Sequence, residues 1–485
     1  MLTNAPVAKP EIARPEKQPN RYLLLLAVLA LAVVIWLIPA PVGVEPRAWH
    51  LLAIFVATIV GIILKALPMG AIAMIGIAAT ALTGTLTVDQ ALSGFGNDVI
   101  WLIVVAFFIS RGFIKTGLGS RIAYLFMAAL GKRTLGLSYG LIATDLVLAP
   151  AIPSNTARAG GIVYPLVRAS AKAFGSEPDD GTAHKIGAFL IQAAFQGNVI
   201  TSAMFLTAMA ANPLAAKLAS QMHINVSWGQ WAIAAIVPGI ASLVLIPMVL
   251  YKLYPPEIKE THGASELATQ KLTEMGGVRR EEWIMLAVFL LLLLLWIFGD
   301  QLAKIASTTT ALVGLGVLLI TGVLTWKDIL EEKSAWDTLV WFAALVMMAS
   351  FLSELGLIPW LTHAVQGMVG GVNWAIAFPV LCLVYFYSHY LFASQTAHVS
   401  AMYASFLGVS VAVGTPPLLA ALVLGFASNL FASLTHYGAG PAPVLFGSGY
   451  VALHTWWKLG AIVSVINIVI WLLLGGLWWK LLGLW

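Results

Sequence analysis

With 485 residues, 60% of them hydrophobic, only 10% charged and a mean hydropathy of +0.91, the chain carries more apolar surface than a water-soluble domain can bury, which excludes a soluble globular protein. A single cysteine, Cys382, excludes a disulfide framework or a thiolate metal site. The formal charge of +5 belongs to loops between apolar runs and gives no reason to expect nucleic-acid binding.

Residues 1–20, rich in Pro, Lys and Glu, are predicted to be disordered on the cytoplasmic side. The apolar run 22–38 is read as a first transmembrane helix within 21–45, because no small-residue cleavage site follows it and Trp36, Pro39 and Pro41 mark an interfacial exit. Further spans are predicted at 49–64, 68–86, 98–114, 186–211, 229–252, 282–298, 306–324, 337–355, 416–437 and 456–482. The stretches 137–168 and 376–409 are too polar at their centres to face lipid, and are read as helical hairpins that enter and leave on one side. The prediction is an all-α polytopic membrane protein of about eleven transmembrane helices plus two re-entrant hairpins. A cytoplasmic N-terminus puts 21 of the 26 Lys and Arg on that side, leaving Arg47, Lys217, Lys304 and Lys480 outside and Arg158 inside the first hairpin.

The chain reads as two copies. Thr83-Gly84-Thr85-Leu86-Thr87 returns as Thr321-Gly322-Val323-Leu324-Thr325, Asp98 as Asp337, and Gly117-Leu118 as Gly356-Leu357, at offsets of 238, 239 and 239. Each copy, 46–252 and 282–485, holds five crossings and one hairpin, and an odd number of crossings makes the repeats inverted. The polar segment 253–281, with Pro255-Pro256 and Gly276-Gly277, is read as a cytoplasmic connector. Asp98 and Asp337 are read as caps of the helices that begin there.

The chemistry is expected at the hairpin tips, where Pro153-Ser154-Asn155-Thr156-Ala157-Arg158 is echoed by Ala393-Ser394-Gln395-Thr396-Ala397-His398. Polar side chains at membrane depth are costly, so a duplicated polar island points to a substrate pathway. At each tip one half-helix stops and another starts, and the free N–H groups of that start attract anions. Hydroxyl and amide donors suit a carboxylate that must be held and then released. The candidates for substrate binding are Ser154, Asn155, Thr156, Ser394, Gln395 and Thr396. Thr201, Ser202, Asn198 and Asn429 join them from two polar interruptions, 196–202 and 427–438, read as broken helices beside the tips. The tip residues serve equally as helix caps, and the four others equally satisfy backbone groups of those interruptions.

The paired tips, with Thr201 through Leu214 and Thr435-His436-Tyr437-Gly438, resemble the divalent-anion transporter (DASS) superfamily over residues 20–485. They are most similar to its exchanger branch of plastidic 2-oxoglutarate/malate translocators and bacterial dicarboxylate or citrate/succinate antiporters. The resemblance implies a homodimer, in the lipid bilayer, of protomers with a fixed scaffold and a transport domain that moves as an elevator. In the sodium-coupled branch each tip cradles a sodium ion and the second reads Ser-Asn-Thr. Here it reads Ser-Gln-Thr, and Arg158 and His398 stand four residues after the two serines. The expectation is that these two side chains replace the sodium ions and compensate the substrate's charge, giving obligatory, sodium-independent exchange. Two other places are open to Arg158, a pairing with Asp145 or the cytoplasmic interface, and His398 has a structural role open to it.

Expected substrates are 2-oxoglutarate, malate, succinate and fumarate, with citrate or tartrate as alternatives, and the alternative mechanism is a sodium-coupled symporter for the same anions. No cofactor or metal is expected. Neither a Walker A run, a zinc helix nor a nucleophile elbow is present, so an enzyme is not expected. The expected location is a bacterial inner membrane, or a plastid inner envelope in a eukaryote.

Overall fold

The computed structural model describes residues 21–303, 305–357, 360 and 373–485; among these, structure outside the helices and turns is limited to an isolated antiparallel bridge between Arg133 and Glu260. The disorder expected over 1–20 and the placement of Lys304 fall outside the described residues. Ahead of the polar segment come α1 (Arg21–Leu37), α2 (Pro46–Ile63), α3 (Met69–Leu82), α4 (Val88–Leu92), α5 (Asp98–Thr116), α6 (Leu118–Leu130), α7 (Thr134–Leu148), α8 (Tyr164–Ala173), α9 (Gly187–Met204), α10 (Ala211–Ser220) and α11 (Trp228–Leu253). After α12 (His262–Met275) come α13 (Arg280–Ala303), α14 (Ser307–Ile320), α15 (Trp326–Glu331), α16 (Lys333–Glu354), α17 (Trp374–Tyr387), α18 (Gln395–His398), α19 (Ala404–Ala412), α20 (Pro417–Leu430), α21 (Pro441–Phe446), α22 (Leu453–Val469) and α23 (Gly476–Leu481). Eight described helices are long and apolar enough to cross a membrane, and five shorter apolar helices accompany them.

Local sequence sets many of the helix ends. Thr87 and Thr325 start α4 and α15 through capping boxes with Gln90 and Asp328, and Gly84 and Gly322 turn the chain just before them at φ 67° and 75°. Asn97 rather than Asp98 caps α5, because its extended backbone lets its side chain accept from the Val99 amide at 3.0 Å. Asp337 lies inside α16, which starts at Lys333, so neither aspartate is the cap expected.

The helices gather into two packed groups. α2, α3, α5, α13, α14 and α16 pack on one another, while α7, α11 and α20 pack around α9, every residue of which is buried. An apolar cavity of about 400 Å³ lies between α2 and α16 on one side and α10 and the second hairpin on the other, with Trp49, Phe55, Leu218 and Phe392 in its walls. Gly117 and Gly356 follow α5 and α16 at φ 81° and 84°, a backbone state that strains any side chain with a Cβ.

The first hairpin is α7, a tip over 149–156, a π-helical stretch (Ala157–Val163) and α8; the second is α17, a 3₁₀ turn (Ser388–Leu391), a tip at 392–394, then α18, a π-helical stretch (Val399–Tyr403) and α19. Both hairpins therefore widen the helix within about a turn of the tip, a distortion common at functional sites.

Two readings of the sequence need correction. The interruption expected at 196–202 is absent, since α9 runs unbroken to Met204 and the chain becomes extended only at Phe205, with φ −131° and ψ 140°. Gly197 sits within the helix at a close approach to Ile142, where a Cβ would stand 2.5 Å from a side-chain carbon. Likewise Ser428 and Asn429 lie inside α20, which tightens to 3₁₀ over Phe431–Leu434 and opens at Thr435. The connector 253–281 is also more than a linker: α12 buries Ala264 and Ala268 and packs on α6.

Candidate functional site

The two tips meet. Ser154, Asn155, Thr156, Ser394, Gln395 and Thr396 all line one chamber of about 190 Å³, closed by Phe107, Met209, Ala210 and Gly440. Asn155 Nδ2 donates to Gln395 Oε1 at 2.9 Å, so side chains 240 residues apart touch across it. Ser154 Oγ accepts from the Ala157 amide at 3.1 Å and Ser394 Oγ from the Ala397 amide at 3.4 Å, each capping its own half-helix. A serine that caps by accepting keeps its O–H to donate. Thr156 and Thr396 line the same space, and Gly440 makes room for the first, because a Cβ there would stand 2.0 Å from Thr156 Oγ1. The lining carries no ionisable side chain. Ser394 also borders a second cavity of about 680 Å³, on the side of Arg21 and Lys65, so the second tip separates the chamber from a wider space.

Beneath the first tip lies a charged cluster. Arg158, fully buried, donates through Nε to Asp145 Oδ1 at 3.0 Å, through Nη1 to the carbonyls of Ile152 and Ala208 at 2.6 Å each, and through Nη2 to Ser202 Oγ at 2.9 Å. Asp145, also buried, accepts from Thr201 Oγ1 and from Asn198 Nδ2 at 3.1 Å to both oxygens. Asn198 Nδ2 lies 3.3 Å from the Asn155 carbonyl, which ties the cluster to the tip. Asn212 donates to the carbonyls of Ser202 and Phe205, where α9 ends, and accepts from Asn429 Nδ2 at 2.7 Å.

The second tip has a different underside. His398 is fully buried with Nε2 3.0 Å from Ser388 Oγ, its ring against Tyr385, Phe392 and Phe431 at centroid distances of 4.6 Å and against His389 at 5.3 Å. Gln395 Nε2 donates to the Ser428 carbonyl at 3.3 Å, and Ser428 Oγ meets the Tyr385 hydroxyl at 2.8 Å.

The structure thus brings together six of the ten expected binding residues and sets four apart. Asn198, Thr201, Ser202 and Asn429 do not line the chamber; they hold Asp145, Arg158 and the end of α9 in place. Arg158 and His398 do not line it either. The role expected of them as free compensating charges is corrected: Asp145 already neutralises Arg158, and His398 is wrapped in rings. The sequence reading missed the chamber walls Met209, Ala210 and Gly440, and Asn212 as the joint between α9 and α20. The closely spaced Gly438 and Gly440 after an apolar helix were the available signal for a close approach.

A hard cation needs a shell of oxygen ligands. Beneath the first tip the oxygens of Ile152, Ala208, Ser202 and Asp145 already receive the guanidinium. The guanidinium thus stands where these oxygens would otherwise face a cation. Among the described residues no group of three or more His, Cys, Asp or Glu could hold another metal.

Two helical hairpins meeting at a chamber lined by uncharged polar side chains, inside a body of apolar helices, fit a multi-pass membrane transporter. The sequence matches the family described as the sodium:sulfate symporter transmembrane region over residues 19–485, and the chain belongs to that family, within the divalent-anion transporter superfamily. It is 62% identical over 462 residues to YflS of Bacillus subtilis (strain 168), provisionally named a malate transporter, covering 95% of this chain and 96% of that protein. It is 52% identical over 464 residues to the chloroplastic dicarboxylate transporter 1 of Arabidopsis thaliana, covering 95% and 83%, and 38% identical over 471 residues to the inner membrane protein YbhI of Escherichia coli (strain K12), covering 95% and 98%. Among solved structures, the YdaH transporter of Alcanivorax borkumensis shares the fold at a TM-score of 0.58 and 14% identity, over 95% of this chain and 98% of that one.

Proposed function

We propose that the protein is a secondary antiporter exchanging dicarboxylates, among them 2-oxoglutarate, malate, succinate and fumarate, across a bacterial inner membrane without sodium. The observation that carries this is the chamber itself, in which the polar residues of both tips face one small space. A dicarboxylate has two ends, and each would meet a helix start with hydroxyl donors, favourable to an anion yet weaker than a fixed ion pair. Relatives named for malate and dicarboxylate transport, and one named as an inner membrane protein, support the substrate class and the location.

Sodium independence rests on Arg158, whose guanidinium holds the oxygens an alkali ion would need. Exchange rests on the hydroxyls of Ser154, Thr156, Ser394 and Thr396. With a carboxylate bound they are paired; without one, they cross the apolar interior unpaired, which raises the barrier for the empty carrier. Translocation would be an elevator motion, with the hairpins, α9 and α20 moving against α2 and α16 along the apolar seam, and Gly117 and Gly356 as joints. The matching capping boxes, glycines and π-helical stretches support two inverted repeats, and a homodimer is the expected assembly.

Counterflow in proteoliposomes tests the reading. Uptake of labelled malate should require an unlabelled dicarboxylate inside and should be unchanged when choline replaces sodium. The family's description as a sodium:sulfate symporter favours a sodium-coupled symporter as the second reading, and an absolute sodium requirement would establish it.

A further inference from the structure

We propose that Gln395 sets the length of diacid the chamber accepts, favouring the shorter of two diacids that differ by a methylene; this rests on the dicarboxylate reading above. Gln395 and Asn155 occupy matching places on the two tips, yet the side chains differ by one methylene, and the extra methylene carries the Gln395 amide to Asn155. Both amides have their orientation fixed by partners that act in one sense only. The Ser428 carbonyl can only accept, so it takes Gln395 Nε2 and leaves Oε1 facing the other tip. The Thr156 amide can only donate, to Asn155 Oδ1 at 2.9 Å, so Asn155 presents Nδ2. The amide bridge is therefore a built wall of the chamber.

Shortening one side of this bridge opens the chamber, because each tip is anchored from beneath by its own contacts. The Asp145–Arg158–Asn198 cluster holds the first tip, and the rings packed around His398, Phe392 of the tip among them, hold the second. With both anchored, Gln395→Asn parts the amides by about one C–C bond, ~1.5 Å, and leaves the tips where they are. The freed space is about what one more methylene of substrate needs.

The test uses the full-length protein in proteoliposomes, with succinate, glutarate and adipate as competitors of labelled succinate. The wild-type protein should favour succinate. Gln395→Asn should shift the ratio of half-saturation concentrations toward glutarate by about tenfold, the scale at which enzymes separate substrates differing by one methylene. The swap Asn155→Gln/Gln395→Asn restores the summed length from the other tip and should restore the succinate preference. An unchanged ratio in Gln395→Asn, or a swap that fails to restore it, overturns the proposal. If Gln395→Asn alone is inactive, the swap decides: wild-type preference supports the proposal, and inactivity or preference for longer diacids overturns it. A wild-type protein that exchanges none of the three diacids would instead sink the dicarboxylate reading.

Discussion

The undersides of the two hairpin tips show how one surface motif can rest on unlike chemistry. Ser-Asn-Thr at the first tip sits on an ion pair, Arg158 with Asp145, whose remaining valences go to two carbonyls, two hydroxyls and an amide. Ser-Gln-Thr at the second sits on stacked rings around His398, with one polar contact to Ser388. Both arrangements hold a tip rigid at membrane depth, by opposite means. The first relies on directional bonds in which each group needs all its partners, so it fails as a unit. The second relies on ring contacts, which tolerate any flat side chain of similar size. Arg158 and His398, placed alike in the sequence, are therefore expected to differ in sensitivity to change.

The largest effect is expected at the ion pair. Arg158→Ala leaves Asp145 buried without its partner, and Asp145→Asn leaves the guanidinium so; each should cost about 3–5 kcal/mol and abolish exchange. The double variant Arg158→Met/Asp145→Leu should be less destabilised than either single change, measured by thermal unfolding in detergent. Additive losses would show that the two side chains act separately and would remove the contrast between the tips. The Arg158→Ala protein also frees an oxygen shell beside a carboxylate, so sodium should raise its melting temperature above that in choline. No such rise is expected for the wild type.

Next in size is Gly440→Ala. Its Cβ would stand 2.0 Å from Thr156 Oγ1, so the threonine side chain must move. Overpacking of this kind costs about 1–3 kcal/mol, and here it falls on a group facing the chamber. The expected result is at least a tenfold loss in exchange rate in counterflow, with the thermal transition lowered by a few degrees at most. A normal rate would place Thr156 outside the transport path.

How much of this was legible in the sequence follows from the same contrast. The tips were legible because polar side chains in the middle of apolar runs are expensive, and a near-constant offset of about 239 marked the second copy once the first was seen. The undersides were not. Arg158 had a substrate role, a partner in Asp145 and the membrane interface all open to it, and only three-dimensional proximity selects among them. The end of α9 was misplaced because Asn198, Thr201 and Ser202 look like helix breakers, whereas in the fold Asp145 and Arg158 bond their side chains and the helix continues. Phe205, where the helix does stop, carries no compositional sign of it. α12 was hidden by its polar composition, since two small apolar residues, Ala264 and Ala268, suffice for its contact with α6.

His398→Phe should be the mildest change at the tips. It keeps a flat ring among Tyr385, Phe392 and Phe431 and loses only the contact with Ser388, so about 1 kcal/mol of stability and little transport should be lost. His398→Ala, which removes the ring, should cost several times more. If Phe abolished exchange while Ala and Phe were equally stable, a proton or charge on the imidazole would be essential and the two tips would be chemically alike after all.

The smallest effect tests electrostatics outside the membrane-spanning segments. Asp328 on α15 meets Lys115 Nζ at 2.6 Å and Arg111 Nε at 3.7 Å, joining the second copy to the end of α5. Partial burial works against its charge, but hydrogen bonds from Lys115 and Thr325 outweigh this and hold its carboxyl well below the usual aspartate range. A carboxyl depressed by folding stabilises the folded state above its unfolded value, near 4, and that contribution fades as pH falls toward its folded value. Between pH 8 and about 5 the Asp328 contribution is therefore constant. The wild-type and Asp328→Asn melting temperatures should run parallel over that range, separated by one or two degrees, and converge only in stronger acid. Convergence already near pH 6 would mean that Asp328 titrates in the ordinary range and that the link between the copies is carried by other contacts. Because this pair is partly exposed, 0.5 M salt should narrow the gap, whereas the buried Arg158–Asp145 pair should show no comparable response.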